Sequence, residues 1–276
     1  MKKLKSTMKK IISLFAVKKI EKVNIPVLSS EMLQDRAALI VGGAGGVGLG
    51  ITKQFLASSC KVVISGTNED KLKRIVKDLD TDKVSYVILD TKNVSSIKAS
   101  ILDAEEKVGK RISIFVYSAG VHGNQEFGNV TEEIWDNVLN VNLKGMYFFC
   151  QEAGRYMTDN KVKGNILNVS SASALKPGWT PYEISKSGVK SLTLGVAAKL
   201  IKHGITVNAI APGPVATKMI GMENSCDLAW PANPAGRVAT PEEIGNMAVF
   251  MVSDSGKLIV GDTFYMTGGS GTISLQ

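Results

Sequence analysis

The chain has 276 residues, 44% of them hydrophobic, which is enough to bury the core of one large α/β domain. Its three cysteines, Cys60, Cys150 and Cys226, are too few and too far apart for a disulfide framework, and its two histidines belong to no Cys/His cluster typical of a metal site. We therefore expect buried thiols, no metal and a reducing, cytoplasmic environment.

The net charge of +8 is concentrated at the amino terminus. Residues 1–23 hold eight lysines and one glutamate, which leaves 25 basic and 24 acidic residues in the remainder. A nearly neutral body is not expected to bind nucleic acid. The apolar run 11–17 is too short for a secretory signal or a membrane span. We interpret residues 1–33 as a basic extension and linker; weak contact of residues 1–23 with an anionic membrane surface is the alternative.

Short apolar runs alternate with longer amphipathic ones over residues 34–276, which we expect to form one domain. The predicted strands are 37–41, 61–65, 84–90, 112–120, 164–171, 205–213 and 262–269. The predicted helices lie near 47–59, 68–80, 94–109, 131–159, 181–203 and 241–253. This alternation predicts an α/β fold with a doubly wound parallel sheet of about seven strands.

A glycine-rich turn joins the first predicted strand to the first helix. Gly42, Gly46 and Gly48 let the backbone turn tightly and approach a pyrophosphate, which the helix N-terminal amides can bind. Because strand, turn and helix follow in the required order, we interpret the stretch as the dinucleotide-binding turn of a Rossmann fold.

Two helices begin with the same capping signature. Thr180-Pro181 and Thr240-Pro241 each place a glutamate three residues after the threonine. The first of these puts Tyr182 in the opening turn of its helix and Lys186 one turn later on the same face.

The chain resembles the short-chain dehydrogenase/reductase family over residues 34–272, and it is similar to that family's 3-oxoacyl-carrier-protein reductases and sugar or polyol dehydrogenases. The glycine turn, "SAG" (118–120), "NVNLKG", "NVSSASA", "YEISK" and "NAIAPGPVAT" follow one another in family order. The resemblance implies an NAD(P)(H)-dependent oxidoreductase that moves a hydride between nicotinamide and a small-molecule secondary alcohol or ketone. It also implies a homotetramer or homodimer.

The resemblance assigns four catalytic residues. Tyr182 would be the general acid in ketone reduction and the base in alcohol oxidation, and Lys186 would supply the positive charge that lowers the phenol pKa. Ser171 would hydrogen-bond the substrate oxygen. Asn142 would support a water that connects Lys186 to solvent.

Further family positions would contact the dinucleotide, with Asp90 at the adenine and the segment after the sixth strand at the nicotinamide. The expected contact residues are Gly42, Gly45, Gly46, Val47, Gly48, Gly66, Thr67, Asn68, Asp90, Thr91, Ser118, Ala119, Gly120, Tyr182, Lys186, Pro212, Gly213, Val215 and Thr217. Gly66 stands at the end of the second strand, where an acid would accept from the ribose of NAD. This favours NADP(H) over NAD(H), although neither Thr67 nor Gly45 offers a basic side chain.

Several positions depart from the family pattern. Ser118 replaces a usual asparagine, and Ser171 lies only 11 residues before Tyr182, so Ser170 is the alternative donor.

Residues 214–238 would cover the substrate, with Met219, Met222 and Trp230 as an apolar lid or as plain core contacts.

Two other functions remain open. A catalytically silent dinucleotide-binding sensor or scaffold could carry the same fold. An epimerase or dehydratase of the family's larger branch is disfavoured, because only some 60 residues follow the sixth strand.

The basic extension is expected to be dispensable for folding and chemistry, because the repeating strand–helix pattern begins only near Arg36. A chain lacking residues 1–23 should keep its melting temperature and turnover. Loss of soluble protein would show instead that the extension completes a core or an interface. Flotation with anionic liposomes at low and high salt tests the membrane alternative, since electrostatic attachment weakens with salt.

Overall fold

Seven parallel strands form a single sheet, and each strand falls within one of the predicted apolar runs except β2, which extends one residue beyond its run to Gly66. They are β1 Ala37–Val41, β2 Lys61–Gly66, β3 Val84–Ile88, β4 Ile114–Tyr117, β5 Asn165–Val169, β6 Thr206–Pro212 and β7 Thr263–Met266. Their order across the sheet is β3-β2-β1-β4-β5-β6-β7. The computed structural model describes residues 29–123, 126–223 and 227–273, so the predictions for residues 1–23 and Cys226 lie outside the described residues.

Helices connect successive strands and cover both faces of the sheet. They are α1 Gly46–Ala57, α2 Glu69–Leu79, α3 Ile97–Val108, α4 Glu132–Leu139, α5 Met146–Asp159, α6 Pro181–Leu200 and α7 Pro241–Val252. Both predicted capping boxes are present, at Thr180 and Thr240. The predicted doubly wound α/β fold is confirmed.

The strands divide their side chains between two cores. In β1, Leu39 packs with α3, α5 and α6 on one face, whereas Ile40 packs with α1, α2 and α7 on the other. Both side chains are fully buried. A strand covered on both faces has no polar side to display, which is why these runs are continuously apolar rather than alternating. Cys60 and Cys150 are free, buried thiols, as expected.

The single helix predicted near 131–159 is wrong in one respect, because a π-helical turn, Asn140–Gly145, separates α4 from α5. Side-chain contacts account for the change. The Tyr117 hydroxyl donates to the Val141 carbonyl at 2.6 Å, and a Cβ on Gly145 would lie 2.8 Å from that hydroxyl. A π turn in a helix commonly marks a functional site.

Arg36 joins distant parts of the chain at the amino-terminal edge of the sheet. Its guanidinium donates to the Asn165 side chain at 2.9 Å and to the Val252 carbonyl at 2.8 Å, and it pairs with Asp254 at 2.6 Å. The start of β1 is thereby fixed to β5 and to the end of α7.

Helices α1 and α7 cross at two glycines. A Cβ on Gly245 would lie 2.6 Å from the Gly50 carbonyl oxygen, and a Cβ on Gly50 would lie 2.2 Å from that of Pro241. The backbones therefore approach more closely than any side chain allows, and this holds the N-terminus of α1 in place.

We expect Gly245→Ala to lower the free energy of unfolding by about 1–3 kcal/mol, because the added methyl group meets backbone that cannot move aside. Gly195→Ala on α6 is the matched control: a Cβ there meets nothing within 4 Å. It should be neutral, or should stabilise by about 0.5–1 kcal/mol through the entropy of the unfolded chain. Denaturant unfolding measures both, and equal effects would contradict the close helix contact.

Candidate active site

A cleft of about 1170 Å³ runs along the carboxyl-terminal edge of the sheet. Segments that follow β1 to β6 all contribute to its walls. Pockets for drug-sized ligands span roughly 300–1,000 Å³, so this cleft has room for a larger ligand or for two ligands together.

The glycine turn forms one end of the cleft and is tightly packed. Gly42 has a φ of +75°, and a Cβ on it would lie 2.7 Å from the Ala119 amide. A Cβ on Gly46 would lie 2.3 Å from the Thr217 side chain, and one on Gly48 would meet the Gly42 carbonyl. At each of these positions only glycine fits, because neighbouring atoms occupy the place of a Cβ. The amides at the start of α1 can then bind an anion.

All the predicted dinucleotide contacts lie along this one cleft. They are Gly42, Gly45, Gly46, Val47, Gly48, Gly66, Thr67, Asn68, Asp90, Thr91, Ser118, Ala119, Gly120, Tyr182, Lys186, Pro212, Gly213, Val215 and Thr217. Ser65 also lines the cleft, and within the described residues the hydroxyls of Ser65 and Ser118 are buried without a hydrogen-bond partner. Unpaired buried polar groups and a glycine cradle fit a polar ligand with a phosphate group, so the residues present fit a dinucleotide.

Tyr182 and Lys186 lie in the first two turns of α6, as the capping signature predicted. The Lys186 ammonium is 5.7 Å from the centre of the Tyr182 ring and donates to the Val169 carbonyl at 2.9 Å. Lys186 is only 4% exposed. The last residue of β5 thus fixes the lysine beside the phenol.

Of the two candidate serine donors, Ser171 is the one that faces the phenol. Its side chain interacts with the Tyr182 phenol and lowers the phenol pKa, and it accepts from the Ser173 amide at 3.1 Å. Ser170 is buried and donates to the Lys186 carbonyl at 3.1 Å. The neighbouring hydroxyl is therefore already engaged in holding α6 against β5.

Burial dominates the electrostatics of this pair. It raises the pKa of the Tyr182 phenol, and the hydrogen bond with Ser171 opposes it only in part. It lowers the pKa of the Lys186 ammonium to about 8. The phenol pKa thus moves in the direction opposite to that expected of a neighbouring lysine, because removal from water disfavours both charged forms.

Asn142 lies in the π turn, behind the cleft wall rather than on its surface. Its Oδ1 accepts from the Val121 amide at 2.8 Å, and its Nδ2 donates to the Val121 carbonyl at 2.9 Å and to the Ser185 hydroxyl at 3.2 Å. It is fully buried. Its side chain therefore joins the loop after β4 to the helix that carries Tyr182.

Several residues that line the cleft were not recognised from the sequence, among them His122, Lys71 and Lys92. The His122 ring packs on the Tyr182 ring with centroids 4.5 Å apart, and Lys71 and Lys92 line the cleft beyond β2 and β3. A histidine in a loop, an exposed lysine in the first turn of α2 and another in the loop after β3 carry no local signal of a site. The contact of His122 with Tyr182 depends on how the loop after β4 folds over α6, which the sequence does not show.

Two of the three apolar residues predicted to cover the substrate line the cleft. Met219 and Trp230 line the cleft, whereas Met222 is half-buried beside it. The Trp230 amide donates to the Gly236 carbonyl at 2.8 Å, which closes this segment into a hairpin-like turn.

Among the residues that the structure describes, no group of three or more His, Cys, Asp or Glu side chains is placed to hold a metal ion. Within residues 29–123, 126–223 and 227–273, no helix has the length and apolar character needed to cross a membrane.

Comparison with known proteins agrees with this arrangement. The family model described as enoyl-(acyl carrier protein) reductase matches residues 42–271. A 3-oxoacyl-(acyl-carrier-protein) reductase of Chlamydia muridarum is 32% identical and aligns with 87% of this chain and 99% of its own. A gluconate 5-dehydrogenase of Gluconobacter oxydans is 28% identical, with 88% and 97% covered.

A solved structure supports the same assignment. A short chain dehydrogenase from Bacillus anthracis superposes with a TM-score of 0.78 at 29% identity, over 87% of this chain and 98% of its own. The fold, the order of the motifs along the cleft and the family match lead to one conclusion: the chain belongs to the short-chain dehydrogenase/reductase family of oxidoreductases.

Proposed function

We propose that this oxidoreductase interconverts a secondary alcohol and a ketone with NAD(P)(H), using Tyr182, Lys186 and Ser171. The observation that carries the proposal is that α6 and the segment after β5 bring these three side chains together in the cleft that the glycine turn closes. The names of the two relatives, a 3-oxoacyl-(acyl-carrier-protein) reductase and a gluconate 5-dehydrogenase, support oxidation–reduction chemistry.

The dinucleotide would be held by the glycine turn at its pyrophosphate, by Asp90 at its adenine and by Pro212, Gly213 and Thr217 at its nicotinamide. When bound, it supplies or accepts the hydride. The chain's own residues then need to bind the other reactant, keep it oriented and move one proton.

Tyr182 is suited to give that proton to a carbonyl oxygen. Because burial raises its pKa, the phenol is protonated at neutral pH, which is the state that a general acid requires. Ser171 stands beside it, so both hydroxyls can donate to one substrate oxygen and stabilise the charge that develops there.

Lys186 stabilises the phenolate as the proton leaves. With a pKa of about 8, the ammonium is mostly protonated at pH 7, and burial strengthens its attraction to a nearby negative charge. Asn142 would contribute by positioning, since its side chain fixes the Val121 backbone relative to α6. Support of a water connected to Lys186 stays a prediction for Asn142.

Assembly and location remain predictions. Exposed apolar side chains on α5 and α6, including Tyr147 and Leu194 at 50% and 61% exposed, support a homodimer or homotetramer. A cytoplasmic location rests on the low cysteine content and reduced state of the described thiols.

We expect Tyr182→Phe to lower turnover at least about a hundredfold, because general acid–base transfer contributes on the order of 10² to 10⁴ in rate. Ser171→Ala should act in the same direction, whereas Ser170→Ala, at a hydroxyl that faces α6, should affect stability more than turnover. The substrate comes from a ligand-stabilisation screen of ketones and alcohols with dinucleotide present. Dinucleotide binding, measured in parallel, excludes misfolding.

The pH dependence of reduction supplies a control within the same experiment. Wild-type turnover should fall as pH rises through about 8, where Lys186 loses its proton. Lys186→Met should be slower at every pH and should lack that limb. Wild-type turnover in both Tyr182→Phe and Ser171→Ala would refute the mechanism and favour a silent dinucleotide-binding protein.

We further propose a preference for NADPH over NADH. The chain has Gly66 in place of an acid, and Lys71 adds a basic side chain to the wall of the same cleft. The Lys71 amide donates to the Asn68 side chain at 2.8 Å, which caps the start of α2. Titration by nicotinamide fluorescence should show tighter binding of NADPH. Lys71→Met should reduce the preference and Lys77→Met, at the far end of α2, should not; equal binding of both dinucleotides by the wild type would contradict it.

A further inference from the structure

The cleft is basic although residues 24–276 as a whole are nearly neutral. Its walls carry five lysines and one aspartate. Residues 24–276 as a whole have 25 basic and 24 acidic residues, so the positive charge is concentrated where ligands bind. A cleft lined by one sign of charge attracts ligands of the opposite sign.

The lysines fall into two pairs at opposite ends of the cleft, apart from the buried Lys186. Lys71 and Lys92 follow β2 and β3, whereas Lys176 and Lys218 follow β5 and β6. The strands β1 and β4 lie between the pairs. Three strand spacings of about 4.8 Å separate β2 from β5, or roughly 14 Å, so the two pairs serve different parts of the cleft.

The dinucleotide accounts for the first pair but not for the second. Lys71 lines the cleft together with Gly66, which precedes it by five residues, at the end where the ribose of the adenosine is expected. Lys176 lies in the segment between Ser171 and Tyr182, and Lys218 opens the short helix Lys218–Ile220, whose residues border the cleft with Trp230. The second pair therefore lies in the segments after β5 and β6, which also carry the proposed reacting residue Ser171 and the nicotinamide contacts.

Both lysines of the second pair are available to a ligand. Each has an exposed side chain. Lys176 interacts with Glu183, but that carboxylate is already held by the Thr180 hydroxyl and by two backbone amides. No ion pair of Lys218 occurs within the part of the chain that the structure describes. Its backbone is fixed, since the Gly221 amide donates to its carbonyl at 3.0 Å.

We infer that the substrate carries an anionic group, a carboxylate or a phosphate, which Lys218 and Lys176 bind while Tyr182 faces the reacting carbon. The inference rests on the proposed function for the identity of the reacting end. Lysine suits this task because its ammonium is a point charge on a flexible stem that can reach an anion at the rim. The apolar side chains of Met219 and Trp230 would contact the uncharged part of the substrate.

Two matched pairs of ligands separate the sources of the charge. The 3-oxobutanoyl thioesters of phosphopantetheine and pantetheine differ by one phosphate, and 5-ketogluconate and L-sorbose differ by a carboxylate in place of a hydroxymethyl group. Binding is measured by calorimetry on the Tyr182→Phe variant saturated with NADP⁺, so the result does not depend on turnover. Turnover of the wild type with the same four compounds separately tests the proposed function.

In at least one of the two ligand pairs, the anionic compound should bind about tenfold more tightly than its neutral counterpart. Lys218→Met and Lys176→Met should each reduce that ratio, and the double variant should bring it close to one. Lys190→Met is the matched control, since this exposed lysine of α6 lies outside the cleft walls and should leave the ratio unchanged.

Three results would overturn the inference. One is a ratio below about twofold in both pairs, and another is no binding of either anionic compound up to about 10 mM. The third is an effect of Lys218→Met on NADP⁺ affinity alone, which would assign that lysine to the pyrophosphate beside the glycine turn.

Discussion

Parallel strands impose one constraint on which the rest of this structure depends: every strand ends at the same edge of the sheet. The loops after β1 to β6 must therefore meet there, and the strand order, which continues from β1 to β2 and β3 on one side and to β4 and beyond on the other, opens a crevice between them. The glycine turn, "SAG", the serine segment and the start of α6 reach one cleft because of this topology.

Much of the fold was predictable because short stretches of sequence determine its strands and helix starts. Buried parallel strands are continuously apolar, and the capping boxes at Thr180 and Thr240 mark their helices from four residues each. The same local rule placed Tyr182 and Lys186 together. The π turn was not predictable, because its hydrogen bonds join Val141 to Tyr117 and Asn142 to Val121, which are 24 and 21 positions away in sequence. The same limit hid the contact of His122 with Tyr182 and the basic cleft walls, since both arise only when separate loops converge.

Burial acts on the acid and on the cation of the site in complementary ways. It keeps the Tyr182 phenol neutral and makes the Lys186 ammonium easier to deprotonate, so at pH 7 the charge of the pair is held by the buried lysine. The other lysines of the cleft lie at its rim, on side chains that water can reach. The cleft therefore separates the attraction of a charged ligand, which is long-range and weak per group, from the proton transfer, which needs a dry and fixed geometry.

The π turn between α4 and α5 also restricts how the length of this chain can change. Such a turn amounts to an α-helix with one residue inserted, and successive residues of an α-helix are about 100° apart around its axis. Deleting one residue from Asn140–Gly145 would restore a regular α-helical ladder, and Val138 and Phe149, both now buried, would keep nearly their present faces because a π turn takes up one extra residue by widening. The change would instead fall on the turn itself, whose side chains would shift along the helix. It would also draw Asn142 away from Val121. The segment is thus expected to accept substitutions at its exposed positions far more readily than the loss of a single residue.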